Sequence, residues 1–359
     1  MGEFPKLIID SNKLENNARC MKDVLDKSGI HLTGVVKGAN GNGSVIDSFV
    51  KGGLISLASS RLPQLKKIKE EYPDIYTLDL RIPMLSELEE LVEWADCSLN
   101  SEMAVLEELE KLCSSKGIKH DVLLMCDLGD LREGFFNEED LFEAAKYVED
   151  CEHLYLKGIG TNLGCYGSIQ PDTTNLTKLV TLSKNIEKII NRSLDWVSGG
   201  ASTSLPLVLN NNMPDGINHL RIGNNLLLRD VEEYNDYTFD GLYGDAFIVE
   251  AEIIEIKEKP SYPIGTIAVD AFGNKPTYTD IGIRKRALLA LGRQDVGEMT
   301  KLIPQQEGLK VIGGSSDHTI VDITENRDNL KIGDILSFEM EYENLLYLSS
   351  SEHVGKEER

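Results

Sequence analysis

Up to about residue 230 the chain alternates short apolar, β-prone runs with stretches of helical period, and this alternation restricts its fold more than any other feature. The runs fall at residues 32–37, 53–59, 75–82, 97–101, 121–128, 154–162, 195–202 and 219–227. Between them apolar residues recur at helical spacing, as with Leu14, Ala18, Met21, Val24 and Leu25 before the first run and Met103, Leu106, Leu109, Leu112 and Cys113 after the fourth. Strands separated by helices pair in parallel, and eight of them close most readily into a barrel. The expected fold class is therefore α/β, a (β/α)8 TIM barrel over residues 8–230 followed by a mostly β domain over residues 231–359.

After Leu228 the helical rhythm stops, and residues 229–237 read as a charged, aromatic-bearing connection. Runs at 247–256, 266–271, 285–291, 309–313, 319–323 and 335–340, separated by Pro, Gly and Asn, predict an all-β module. The barrel does not need the early run 7–10, which is free to add a strand to that module and take residues 1–7 with it. The tail 351–359 reads as frayed.

With 359 residues, 41% of them hydrophobic, the chain has material for a large and a smaller core. It has no apolar run of bilayer length and no signal-type start, so a cytoplasmic location is expected. Cys20, Cys97, Cys113, Cys126, Cys151 and Cys165 show neither CxxC nor zinc spacing, which predicts reduced thiols and no metal. A formal charge of -23 repels polyanions, arguing against nucleic acid and membrane as partners, and tolerates a cationic small molecule.

The functional face of such a barrel is the rim at the strands' C-terminal ends. Lys37 ends the first run and is followed by Gly38-Ala39-Asn40-Gly41-Asn42-Gly43, so a lone amine stands on a fixed platform beside minimal side chains. Partial desolvation would lower its pKa and leave it nucleophilic at neutral pH, the setting of a Schiff-base lysine; position alone also fits a solvated lysine in a turn. Paired glycines and hydroxyls at Ser198-Gly199-Gly200-Ala201-Ser202-Thr203-Ser204, with a second turn at Arg221-Ile222-Gly223-Asn224, offer an anion site or, equally, a pair of helix caps.

In chain order, Val35-Val36-Lys37, Asp127-Leu128-Gly129-Asp130-Leu131-Arg132, Gly160-Thr161-Asn162, Ser198 to Ser204, His219-Leu220-Arg221-Ile222-Gly223 and Ser316-Asp317-His318-Thr319 resemble the alanine racemase type (fold type III) of pyridoxal-phosphate enzyme over nearly the whole chain. The resemblance implies a racemase, here of a basic amino acid such as ornithine, with pyridoxal 5'-phosphate as cofactor and a homodimer whose sites are shared across the interface. Lys37 would carry the cofactor, Arg132 would face its phenolic oxygen, and Asn162 would stand beside its ring. Ser202, Thr203, Gly223 and Asn224 would cradle the phosphate with Tyr342, while Arg221 would face the pyridine nitrogen. Ser316 and Asp317 of the partner subunit would meet the substrate carboxylate, with Tyr166 also at the substrate.

Racemisation needs a second acid/base group opposite Lys37. The family supplies a tyrosine within a Gly-Tyr-Ala-Asp-Gly type motif, but this chain has Val269-Asp270-Ala271-Phe272-Gly273 there. Asp270 is the first candidate, followed by Tyr278, Tyr166 and Cys165, and Asp270 reads equally well as a turn former near Gly273. Asp130, Glu133 and Asp317 are candidates to receive a distal ammonium. A decarboxylase, an aldolase-like lyase, a racemase of lysine, alanine or serine, and a non-catalytic pyridoxal-phosphate carrier remain open alternatives.

Overall fold

The structure, a computed structural model, describes residues 4–359, so residues 1–3 of the expected 1–7 segment lie outside the described residues. The chain divides into two compact units, residues 12–243 and a second unit formed by residues 244–359 with the segment up to Ser11. The expected boundary falls at residue 230, whereas residues 231–243 cluster with the barrel.

The first strand, β1 (Lys6–Ile9), belongs to the second unit. The barrel strands are β2 (His31–Val35), β3 (Ser56–Ser59), β4 (Tyr76–Asp79), β5 (Cys97–Asn100), β6 (His120–Met125), β7 (Leu154–Gly160), β8 (Trp196–Ser198) and β9 (His219–Ile222). All eight pair in parallel with their neighbours, and β9 closes on β2. Each strand lies within or one residue from its expected run, but most runs overshoot at the C-terminal end, because the polar rim residues leave the ladder to form turns. Lys37 shows this: β2 ends at Val35, and Lys37 opens a 3-10 turn, Lys37–Ala39, instead of closing the strand.

Val35, Ala58, Leu78, Cys97, Leu99, Leu123 and Met125 form a buried apolar cluster, with Tyr76, Leu80, Ile82 and Trp196 against it. Gly158 lets β7 and β8 pair, since a Cβ there would sit 1.8 Å from the Trp196 carbonyl oxygen. At the N-terminal end Trp196 stacks on His219 with ring centroids 4.1 Å apart, and Lys157 lies over the Tyr76 and Trp196 rings while pairing with Asp121 and Asp195.

Burial sets a pH dependence of stability. Desolvation holds the His219 imidazole well below its ordinary range and lowers that of His120 to about 4, so both stay neutral in the fold. Below about pH 6.5 the unfolded chain binds protons at these positions that the folded chain refuses, and stability falls by roughly 1.4 kcal/mol per pH unit for each. Asp79 opposes this: burial raises its carboxyl to about 7, so from about 7 down toward 3.8 the folded state binds the extra proton. Two imidazoles outweigh one carboxyl. Urea midpoints should fall between pH 6.5 and 4.5, and Asp79→Asn should steepen that fall.

In the second unit the strands are β10 (Phe247–Pro260), β11 (Ile283–Leu289), β12 (Ile303–Pro304), β13 (Lys310–Gly314), β14 (Thr319–Asp322), β15 (Ile335–Glu339) and β16 (Gly355–Glu358). The order is β12-β15-β10-β11-β14-β13, with β1 antiparallel to β10 and parallel to β16. The module is mostly β, as expected, with helix Tyr342–Ser350 burying Leu345 and Leu348 beside the strands. Two details differ from the sequence reading. Residues 266–271 form no strand; the segment runs into a turn in which the Asp270 carboxylate accepts the amides of Phe272 and Asn274. The tail is not frayed, because β1 has an edge that β16 satisfies.

Candidate active site

Eight of the expected site residues, Lys37, Arg132, Asn162, Ser202, Thr203, Arg221, Gly223 and Asn224, follow or end barrel strands and so share the rim. Asn40 and Gly41, both left-handed, close the turn that carries Lys37. The Gln64 amide donates to Asn40 Oδ1 at 2.8 Å and accepts from Ser59 Oγ at 2.6 Å, tying this turn to the end of β3. The Lys37 side chain opens to solvent yet stands among enough protein to lose hydration. That desolvation lowers its pKa; the Arg132 and Arg221 charges also lower it, and Cys165 and Glu133 act the other way.

Arg221 is 4% exposed and donates through Nη1 to Ser198 Oγ and through Nη2 to the Thr161 carbonyl oxygen at 2.7 Å. Ser198 Oγ lies 2.7 Å from His219 Nδ1, His219 Nε2 lies 2.8 Å from Thr33 Oγ1, and Thr33 Oγ1 lies 2.9 Å from Ser56 Oγ. Ser198 Oγ thus links the guanidinium to His219, whose two ring nitrogens bridge Ser198 and Thr33. This buried relay was missed in the sequence, although His219 and Arg221 are two apart on one strand and must face the same side.

Beside Lys37, Arg132 Nε pairs with Glu133 Oε2 at 2.8 Å, and Asn162 Nδ2 donates to Glu133 Oε1 at 3.1 Å. Burial raises the Glu133 carboxyl, with Arg132, Arg221 and Lys37 pulling against it. Asp130 is 2% exposed and accepts the amides of Cys165, Tyr166 and Ile169 at 3.0 to 3.4 Å, so it holds the loop over residues 163–169 and has little left for a substrate ammonium.

The turns after β8 and β9 are joined by a hydrogen bond from Arg221 N to Gly200 O at 3.0 Å. Ser202 Oγ accepts from Asn225 N at 3.5 Å, and Thr203 Oγ1 donates to Leu163 O at 3.2 Å. Asn224 Oδ1 is buried without a hydrogen-bond partner. Gly223 fits closely, since a Cβ there would lie 3.1 Å from Val35 Cβ.

Behind these turns lies a second cluster that the sequence reading took for a connection. Asn225, fully buried, donates to Glu232 Oε1 at 3.1 Å and accepts from Tyr237 OH at 2.9 Å. Glu232, 5% exposed, also accepts from Arg229 Nε and Nη2 at 3.0 and 2.6 Å and from Phe239 N at 3.1 Å.

The remaining expected site residues, apart from Tyr166, belong to the second unit. Asp270 is exposed and turned onto its own loop, accepting from Phe272 N at 2.9 Å and Asn274 N at 2.8 Å, and these bonds depress its carboxyl. Ser316 Oγ donates to Asp317 Oδ2 at 2.8 Å, and Asp317 Oδ1 accepts from Gln294 at 3.0 Å. Tyr342 is half-buried at the start of helix Tyr342–Ser350. In the barrel unit, Tyr166 is 77% exposed.

Residues 9–228 match the family described as alanine racemase, N-terminal domain. The chain belongs to the alanine racemase family. Within reach of that family lie a protein named ornithine racemase from Acetoanaerobium sticklandii, 42% identical over 99% of both chains, and one named lysine racemase from Thermotoga maritima, 37% identical over 98% of both. In fold, this alanine racemase family member is similar to the crystal structure of alanine racemase from Streptomyces lavendulae, with a TM-score of 0.75 at 16% identity, covering 99% of this chain and 98% of that one.

Proposed function

We propose that this protein is a pyridoxal-phosphate-dependent racemase interconverting L- and D-ornithine. The observation that carries the reading is a pKa-lowered Lys37 amine at the same rim as a buried arginine and a hydroxyl-rich double turn. The likeness over 99% of its length to a protein named ornithine racemase supports the substrate.

The bound cofactor supplies an electron-withdrawing ring that acidifies the hydrogen on the substrate's Cα. Lys37 would carry the cofactor through Nζ and move a proton at Cα on one face. Ser202, Thr203, Gly223 and Asn224 would hold the phosphate, with Tyr342. Arg132 would face the phenolic oxygen and Asn162 the ring. Arg221 would face the ring nitrogen with a positive charge, which would disfavour protonation there and favour return of the proton to Cα over side reactions. Ser316 and Asp317, from the partner subunit, receive the substrate carboxylate, and Tyr166 lies beside the substrate.

The homodimer this requires is supported by a loop over residues 261–282 that exposes Ile264 (92%), Val269 (66%) and Ile281 (60%) to solvent in one protomer. Sedimentation should give a dimer, and Ile264→Asp together with Ile281→Asp should shift it toward monomer.

The test of function is direct. Purified protein loaded with pyridoxal phosphate is incubated with ornithine, lysine, alanine and serine and resolved by chiral chromatography; borohydride reduction and peptide mapping locate the adduct. The expected result is a label on Lys37 and fastest racemisation of ornithine. A label on another lysine, or racemisation of alanine but not ornithine, overturns the reading. Lysine as the better substrate would make this the second reading, which the 37% identity to a protein named lysine racemase favours.

A further inference from the structure

The racemase reading leaves the second face of Cα without a base. Asp270 is poorly suited, because a carboxylate that already accepts two amides and is held below its ordinary range is a weakened proton acceptor. Tyr166 leaves most of its surface in solvent. We propose that Cys165 is the catalytic partner of Lys37, its sulfur exchanging a proton with Cα on the face that the lysine does not serve. The proposal rests on the racemase reading and deepens it.

Three observations converge on this thiol. Among the described residues Cys165 alone of the six cysteines is exposed, and it sits on the rim loop that follows β7. It belongs to a connected polar chain around Lys37: Arg132 holds Glu133, and Asn162 uses its amide group to reach both Glu133 Oε1 at 3.1 Å and Cys165 Sγ at 3.9 Å. The loop that carries it is also fastened to the turn after β8, where Thr203 Oγ1 donates to Leu163 O at 3.2 Å, two residues before the cysteine.

The loop is built to hold that position. Asp130 accepts its amides, Gly164 N donates to Ile169 O at 2.7 Å, and Gly164, at φ +73, lies so close to Thr203 that a Cβ would meet Thr203 Cγ2 at 2.7 Å. All these fixings are backbone, so the thiol can be removed without unmaking the loop.

The proton count closes. From one enantiomer the Cα–H bond breaks and its proton forms S–H on the Cys165 thiolate; the Lys37 ammonium then gives a proton to the opposite face, forming the new C–H bond and leaving a neutral amine. Thiol and amine are the starting pair for the reverse direction. Transfer from thiol to amine through solvent restores thiolate and ammonium.

The experiment uses the cofactor-loaded enzyme and Cys165→Ala, with ornithine enantiomers in D2O. Racemisation should fall at least about 10²-fold, as loss of an acid/base group predicts, while one enantiomer still exchanges its Cα hydrogen with retention of configuration, through Lys37. Iodoacetamide should label Cys165 in the wild-type protein and inactivate it, with ornithine protecting. Racemisation by Cys165→Ala within threefold of wild type overturns the proposal while leaving the function intact. So does a parallel loss of exchange for both enantiomers, the mark of a merely structural role. A wild-type protein that racemises nothing overturns the racemase reading and this one with it.

Discussion

Replacing Lys37 by alanine should lower kcat for ornithine racemisation by about 10⁴-fold or more, because in the proposed racemase one side chain both anchors the cofactor and serves one face of Cα. Lys37→Arg should do no better, since a guanidinium neither forms an imine nor gives up its proton near neutral pH. The turn is held by Asn40, Gln64 and Ser59, not by the lysine side chain, so both variants should fold with wild-type circular dichroism. The pH dependence follows from the sign of the Lys37 shift. Desolvation with Arg132 and Arg221 nearby makes its amine available at lower pH than a free lysine, so the apoprotein should take up the aldehyde faster near neutral pH than any surface lysine does. Retention of more than about 1% of kcat by Lys37→Ala would remove the lysine from the chemistry.

The largest effect on stability should come from Glu232→Ala, at about 3 kcal/mol, the low end for breaking an ion pair of which the carboxylate is buried and the arginine partly exposed. The carboxylate takes two bonds from Arg229, one from the Asn225 side chain and one from the Phe239 amide, and its removal strands all four donors. Glu232→Gln keeps an acceptor and should lose less. Because Asn225 also bonds Ser202 and follows Gly223 and Asn224, the damage should reach the anion turn. Binding of pyridoxal phosphate should weaken more than binding of pyridoxal, which lacks the phosphate. Equal weakening of both would separate this cluster from the anion site.

The barrel was legible because parallel strands and amphipathic helices impose different periods on one sequence, and eight alternations leave few other closures. The Lys37 platform and the double turn were legible for a related reason: glycine and hydroxyl clusters at strand ends have few local explanations. What stayed hidden depended on distant partners. The buried state of Asp130 follows from amides 35 to 39 residues away, and Glu232 looks like one more surface acid until Arg229, Asn225 and Phe239 fold around it. The segment 266–271 has strand composition, but it ends in the turn that Asp270 closes onto Phe272 and Asn274. The tail failed in the opposite sense, its charged residues masking a strand that needs only the edge of β1.

That last pairing has a practical side. Lys6 lies across from Gly355 and Ile9 from Glu358, so β1 and β16 run side by side in the same direction. A purification tag placed after Arg359 begins next to Ile9, whereas a truncation before Gly355 bares a row of amides and carbonyls that another molecule can zip onto.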